Sequence, residues 1–382
     1  MLLFYLSSGL FLGWSLGAND AANVFGTAVG TRMLRFRTAA IISGIFVIIG
    51  AVVQGAGATN TLTSLGSVNV LAGSFAVALS AGLAVFLMTR SALPVSTSQA
   101  IVGGIIGWNF YTNNPTDYDT LIKIVSAWIS GPILGGIFAI LIYLIFGSIF
   151  NNIRINLLKL NAGIKTGLLL VGAFGAYSLG ANNIANVMGV FVPAVETSEI
   201  TILGMSFSGA QQLFFLGALA IAVGIFTYSK RIMNTVGNQI YKLSAEAAIV
   251  VVLAHSLVLF IFSSQSLQQF LVGFGLPPIP LVPVSSSQVI VGSVIGIGLL
   301  KGGKGLNFGI LGKIALGWIA TPIITAAIAF FTLFFVDNVF QQKLPENNDG
   351  QTSSMAIETP RNLNIMPEAK VSHLNYQSCR KK

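Results

Sequence analysis

Ten long apolar stretches follow one another through this chain, at 2–30, 38–57, 70–89, 91–110, 123–146, 166–194, 206–228, 245–264, 281–300 and 309–335. A bilayer core of about 30 Å is crossed by about 20 residues of helix. In lipid every backbone N–H and C=O must find a partner within the protein, so only helices and closed barrels can span it. Long continuous apolar runs without period-two alternation select helices. Charged residues make up 8% of the 382 and hydrophobic residues 54%, whereas a soluble domain carries about a quarter charged. The chain therefore reads as an all-α integral membrane protein. The opening "MLLFYLSSGLFLGW" has no basic segment and no small-residue cleavage site, so it is read as a retained span and not as a signal peptide.

The net charge of +9 does not imply nucleic-acid binding, because most basic residues sit in short loops: Arg32, Arg35 and Arg37, then Arg154, Lys159 and Lys165, then Lys230, Arg231 and Lys242, then Lys301 and Lys304. The loops between them are neutral or acidic, with Asp117, Asp119, Glu196 and Glu199. The positive-inside rule makes the basic loops cytoplasmic and puts both termini outside. The single cysteine, Cys379, excludes an intrachain disulfide.

Within this apolar background one polar phrase is written twice. "SLGANDAANVFGTAVG" runs from Ser15 to Gly30, and "SLGANNIANVMGVFVPA" from Ser178 to Ala194. Two further motifs recur in the same order. "LPVSTSQAIVGGIIG" (93–107) matches "VPVSSSQVIVGSVIG" (282–296), and "KIVSAWISGPI" (123–133) matches "KIALGWIATPI" (313–323). Five stretches precede the basic linker and five follow it. An odd number of crossings turns the second copy upside down, which predicts two inverted repeats with broken or re-entrant helices at the midplane and a site where the repeats meet. The expected organisation is a first transmembrane repeat over 1–146, a cytoplasmic linker over 147–165, a second repeat over 166–336 and a polar, disordered tail over 337–382. The first, fourth, sixth and ninth stretches are the expected interrupted ones.

Asn19, Asp20 and Asn23 pair with Asn182, Asn183 and Asn186 across the repeat. A charge at a helix centre costs at least about 2.5–3.5 kcal/mol, and Asp20 is the carboxylate that lies clearly inside a span. Amide and carboxylate oxygens at unwound breaks form hard-cation sites and also hydrogen-bond an oxyanion; Gly17, Gly26, Gly180 and Gly189 permit such breaks and close backbone approach. The runs Ser96, Thr97, Ser98, Gln99 and Ser285, Ser286, Ser287, Gln288 each follow a proline, Pro94 or Pro283, and each open a Gly-rich apolar helix. Proline and hydroxyl residues favour a helix start. The free N–H groups and positive dipole end there attract an anion. Three hydroxyls from each half suit a tetrahedral oxyanion. Gly103 with Gly107 and Gly292 with Gly296 are read as helix-packing positions, His255 as a hydrogen-bonded structural residue with a proton site as the alternative, Glu246 as a helix-start charge, and Arg90, Lys123 and Lys313 as snorkelling cations. The sequence offers no metal cluster, P-loop or nucleophile–base–acid arrangement, so the chain is not expected to be an enzyme.

"GANDAANVFGTAVG" and "PVSTSQAIVG", each found again in the second half, resemble the two signature phrases of the inorganic phosphate transporter (PiT-type) family over roughly residues 5–335. The resemblance implies a secondary transporter that imports phosphate with Na⁺, or H⁺ in some members, and no other cofactor. It implies a phosphate-binding set of Asp20, Asn23, Ser96, Thr97, Ser98, Asn186, Ser285, Ser286 and Ser287, and a cation-binding set of Asn19, Asp20, Asn182, Asn183, Gln99 and Gln288. The chain departs from that family at Asn183, where Asp is common, at Gln99 and Gln288, where His is frequent, and in 41–52, which lacks a Glu. Charge counting points the same way. A divalent oxyanion with ionised Asp20 totals about −3, while four helix N-termini supply roughly +0.5 each, so a co-bound cation balances the site. The expected partners are inorganic phosphate, Na⁺ or H⁺ and the lipid bilayer of the cell membrane, with a homodimer as the assembly and no nucleic acid. A sulfate permease of the same fold and an anion channel are the alternatives.

Overall fold

The structure is a computed structural model that describes residues 1–90, 94–152, 156–195, 198–202, 204–233, 240–241, 243–342 and 344. Most of the tail expected over 337–382 lies outside the described residues, as do Arg154, Glu196, Lys242 and Cys379. The described helices are α1 (Leu2–Asn19), α2 (Ala22–Gly30), α3 (Phe36–Gln54), α4 (Ala56–Leu65), α5 (Leu71–Arg90), α6 (Thr97–Thr112), α7 (Tyr118–Asn152), α8 (Leu157–Met188), α9 (Gly209–Tyr228), α10 (Ala245–Ser263), α11 (Gln265–Gly273), α12 (Ser286–Leu300) and α13 (Phe308–Asn338). A short hairpin pairs Ile200–Ile202 with Met205–Phe207, turning at Gly204, whose φ is +78°.

Among the described residues, seven helices are long and apolar enough to cross a membrane: α3, α5, α7, α8, α9, α10 and α13. They account for seven of the ten apolar stretches. The first stretch is divided into α1 and α2, and the fourth and ninth form α6 and α12, of 16 and 15 residues. At about 1.5 Å per residue these two are shorter than the hydrocarbon core. The division after α1 is a tightened turn and not an unwound gap. Asp20 and Ala21 keep right-handed helical dihedrals. The Asp20 N–H reaches back four residues to the Leu16 carbonyl (2.7 Å), while Asn23 and Val24 N–H groups reach back only three, to Asp20 and Ala21 (3.0 and 3.2 Å).

The sixth stretch departs from expectation. α8 runs unbroken through Asn182, Asn183 and Asn186 to Met188, then tightens into a 3-10 turn over Gly189–Phe191. The Asn186 amide donates to Asn183 Oδ1 at 2.9 Å, an i,i+3 pairing that a continuous helix itself supplies. The segment expected as a linker is also largely helical, since α7 continues to Asn152 and α8 begins at Leu157.

Two reciprocal sets of close contacts hold the helices. α1 packs on α9 and α3 on α8. A Cβ at Gly17 would strike the backbone of Ile221, and one at Gly224 the Trp14 carbonyl; in the other pair Gly180 meets Val47 and Gly50 meets Tyr177. The second set, like the first, joins the two halves of the chain. α6 lies on α13 and α12 on α7. A Cβ at Gly103 would fall 2.7 Å from Pro322 Cα, and one at Gly292 2.6 Å from Pro132 Cα. Gly107 and Gly296 repeat the approach at Ala326 and Gly136.

The short helices start from extended backbone. Pro94–Ser96 leads into α6 and Pro283–Ser285 into α12. Such backbone has no helical partners, and burying it unpaired costs free energy. The first asparagine of each phrase supplies the partner. Asn19 Oδ1 accepts from the Val95 N–H at 3.1 Å while its Nδ2 donates to Thr89 Oγ1 at 2.9 Å. Asn182 Oδ1 accepts from the Val284 N–H at 3.1 Å while its Nδ2 donates to the Val284 carbonyl at 2.8 Å.

Two measurements check this account. Gly292→Ala is expected to lower unfolding stability by roughly 1–3 kcal/mol through overpacking. Gly312→Ala, whose Cβ would meet nothing within 4 Å, is expected to be neutral or to stabilise by up to about 1 kcal/mol through helix propensity. Thermal unfolding in detergent reads both, and equal effects would refute the packing argument. Asn182→Leu leaves the Val284 N–H and carbonyl unpaired, at about 1–3 kcal/mol for each buried group. Hydrogen exchange of a peptide spanning 282–290 should accelerate in this variant; unchanged protection would show that the clamp is dispensable.

Candidate anion and cation site

The four polar runs converge, with every predicted side chain buried. The Asn23 amide from the start of α2 donates across the halves to Ser286 Oγ in the first turn of α12, at 3.1 Å. Asn19 holds the backbone before α6, and Asn182 the backbone before α12. The Thr97 hydroxyl lies beside the Asp20 carboxylate without a well-formed hydrogen bond. α8, which carries Asn183 and Asn186, packs against both α6 and α2.

The three hydroxyls of each run have different surroundings. Ser96 and Ser285 are N-caps whose Oγ atoms accept from the backbone N–H of Gln99 and Gln288, at 3.2 and 3.3 Å. Ser98 and Ser287 turn back to these caps, with Oγ–Oγ separations of 3.1 and 3.3 Å. Thr97 and Ser286, the first residues of α6 and α12, remain to face the cluster. The spacing S-x-x-Q is that of a capping box, and only the serine half of it forms here. The Gln99 and Gln288 Oε1 atoms are buried without hydrogen-bond partners.

Unpaired polar atoms gather at this convergence. Asp20 Oδ1, Asn23 Oδ1, Asn186 Oδ1 and Thr97 Oγ1 are buried acceptors lacking a partner, and Asn183 Nδ2 is a buried donor lacking one. Buried polar groups are nearly always hydrogen-bonded, so a cluster of exceptions calls for an explanation such as an ion. The oxygens are carboxylate, amide and hydroxyl, the ligand class of a hard cation. No group of three His, Cys, Asp or Glu side chains occurs among the described residues. The first turns of α6 and α12 add backbone N–H groups suited to an anion.

His255, read from the sequence as a hydrogen-bonded structural residue, is hydrogen-bonded and belongs to this cluster. Its ring is fully buried on α10, with Nε2 2.9 Å from Ser286 Oγ. A lone histidine within a 19-residue apolar helix was the available signal. Arg90, Lys123 and Lys313 are exposed near helix ends, and Glu246 stands in the first turn of α10.

The profile of the phosphate transporter family matches residues 16–162 and 152–329. A "putative phosphate permease" of Methanocaldococcus jannaschii is 30% identical, covering 86% of this chain and 93% of its own length. A protein of the same description from Pyrococcus furiosus is 27% identical over 86% of this chain and 94% of its own. The solved structure of a protein described as "the sodium-dependent phosphate transporter" superposes with a TM-score of 0.70, covering 90% of this chain and 99% of the other at 21% identity, a likeness of fold. With duplicated phrases, an all-helical membrane architecture and a family match along most of its length, this multi-pass membrane chain belongs to the phosphate transporter family.

Proposed function

We propose that the protein is a secondary active transporter of the cell membrane that imports inorganic phosphate with a cation, Na⁺ in preference to H⁺, by alternating access between two inverted repeats. The observation that carries this reading is the gathering of unpaired buried acceptors and two helix N-termini between the duplicated phrases. Ser286, Asn23 and the first-turn N–H groups of α6 and α12 hold the anion. Asp20 and Thr97 hold the cation, with Gln99, Gln288 and the Asn183–Asn186 pair completing the shell. Asn19 and Asn182, whose amide oxygens each accept a backbone N–H, and the capping serines Ser96 and Ser285 position the others.

Charge supports coupling. A buried carboxylate without a counter-charge is costly, and adding a dianion beside it costs more. A cation at Asp20 relieves both, so each ion favours binding of the other. Phosphate fits better than sulfate because HPO₄²⁻ carries one O–H that needs an acceptor, and Asp20 is an acceptor when ionised. The basic segments at Arg32, Arg35 and Arg37, at Lys159 and Lys165, at Lys230 and Arg231, and at Lys301 and Lys304 face the cytoplasm in this reading.

Uptake of radiolabelled phosphate into proteoliposomes, with Na⁺ and H⁺ gradients imposed separately and with arsenate or sulfate as competitor, tests the assignment. A Na⁺ gradient should drive uptake, and arsenate should compete at least about tenfold more strongly than sulfate, a difference of about 1.4 kcal/mol. Equal competition by the two would overturn the phosphate reading. Asp20→Asn should abolish Na⁺-driven uptake while leaving thermal unfolding near that of the parent protein. Undiminished Na⁺-driven uptake in that variant would remove Asp20 from the coupling site.

A further inference from the structure

We infer that His255 fixes the Ser286 hydroxyl as a hydrogen-bond donor toward the bound anion, which makes His255 a positioning residue for recognition of an unprotonated oxyanion oxygen. The inference rests on the reading of Ser286 as an anion ligand.

A serine hydroxyl has one O–H to donate and two lone pairs to accept with. At Ser286 one lone pair receives the Asn23 Nδ2 amide, at 3.1 Å. The imidazole Nε2 of His255 stands 2.9 Å from the same oxygen. The direction of that second bond depends on the tautomer, and the surroundings of the ring decide it. His255 is wholly buried, with apolar Val251, Val252, Val258 and Leu259 near it in sequence on α10, and its Nδ1 has no hydrogen-bond partner. A proton on Nδ1 would leave a buried N–H orphaned. A proton on Nε2 leaves only a lone pair there, and orphaned buried N–H groups are the rarer of the two. Nε2 therefore carries the proton and donates to Ser286. Both lone pairs of the hydroxyl are then filled, and its O–H remains free to point with the first-turn N–H groups of α12.

The equivalent residue of the first repeat has the opposite surroundings. Thr97 has neither an amide nor an imidazole donor on its oxygen and lies beside the acceptor Asp20. Turning its O–H to the carboxylate leaves its lone pairs outward. Two hydroxyls at matched places in the repeat thus present opposite polarity, a donor from the second half and an acceptor from the first. This difference sorts an anion to Ser286 and a cation to Thr97.

The test uses the full-length protein in proteoliposomes, with inorganic phosphate as the probe and the half-saturation constants for phosphate and Na⁺ measured separately. His255→Phe should raise the phosphate constant at least about tenfold, a change of about 1.4 kcal/mol, because the Ser286 O–H is then no longer held toward the anion. The Na⁺ constant should stay within about twofold, the scatter of independent sites. His255→Gln, whose amide nitrogen reaches the position of Nε2, should restore most of the phosphate affinity. Ser286→Ala should match His255→Phe, and the double variant should be no weaker than Ser286→Ala within about twofold. Should His255→Phe fail to fold, His255→Asn, whose amide stops short of Ser286, takes its place with the same expected outcome. Effects of the two substitutions that multiply in the double variant would overturn the inference, since His255 would then act apart from Ser286. A Ser286→Ala variant with unchanged phosphate affinity would instead overturn the reading of Ser286 itself.

Discussion

Backbone that leaves a helix inside an apolar protein must find its hydrogen bonds elsewhere, and here two asparagine side chains provide them. The amides of Asn19 and Asn182 hold Val95 and Val284 in the extended segments that precede α6 and α12. Without those bonds the buried N–H groups would be drawn back into helix, where proline blocks the way. With them, each short helix can begin deep within the bundle, and its unpaired first-turn N–H groups open onto the cluster of polar side chains. The caps at Ser96 and Ser285 and the glycine seats on α13 and α7 then fix where each helix points.

What the halves share differs in kind from what they do not share. The clamp, the cap, the back-turned third hydroxyl and the glycine–backbone seat all occur twice. These parts build the scaffold. The differences lie at charge and polarity. Asp20 faces Asn183 in the alignment, α1 gives way to α2 where α8 is continuous, and Thr97 has an acidic neighbour where Ser286 has two N–H donors. A symmetric pair of sites would bind two like ions. In the proposed reading, breaking the symmetry only at these atoms lets one scaffold take two ions of opposite sign.

Much of this is legible in the sequence. Apolar runs announced the seven long helices, and the duplicated phrases announced which residues would meet. The proline-led hydroxyl runs announced two helix starts. Three features were not legible. The roles of Asn19 and Asn182 depend on which backbone passes their amides, and one-dimensional sequence does not carry that proximity. The continuity of α8, within which Asn186 bonds Asn183, is not distinguished in sequence from the tightened turn between Asp20 and Asn23, because the two phrases are nearly identical. His255 looked structural because its partner Ser286 lies on another helix, 31 residues away. Hydrophobic periodicity reports where a residue is buried, and it is silent on which polar atom it meets there.

The crossed seating of the short helices also sets an order of events in the cell. α6 rests through Gly103 on Pro322 of α13, at the far end of the chain. About 200 residues separate the two, and ribosomes add roughly 5–20 residues per second. For some tens of seconds during insertion, the first half therefore holds α6 by α5 and by the Asn19 clamp, without its seat on α13. The nascent protein passes through a stage in which its first hydroxyl helix is held from one side, and α13 closes the other.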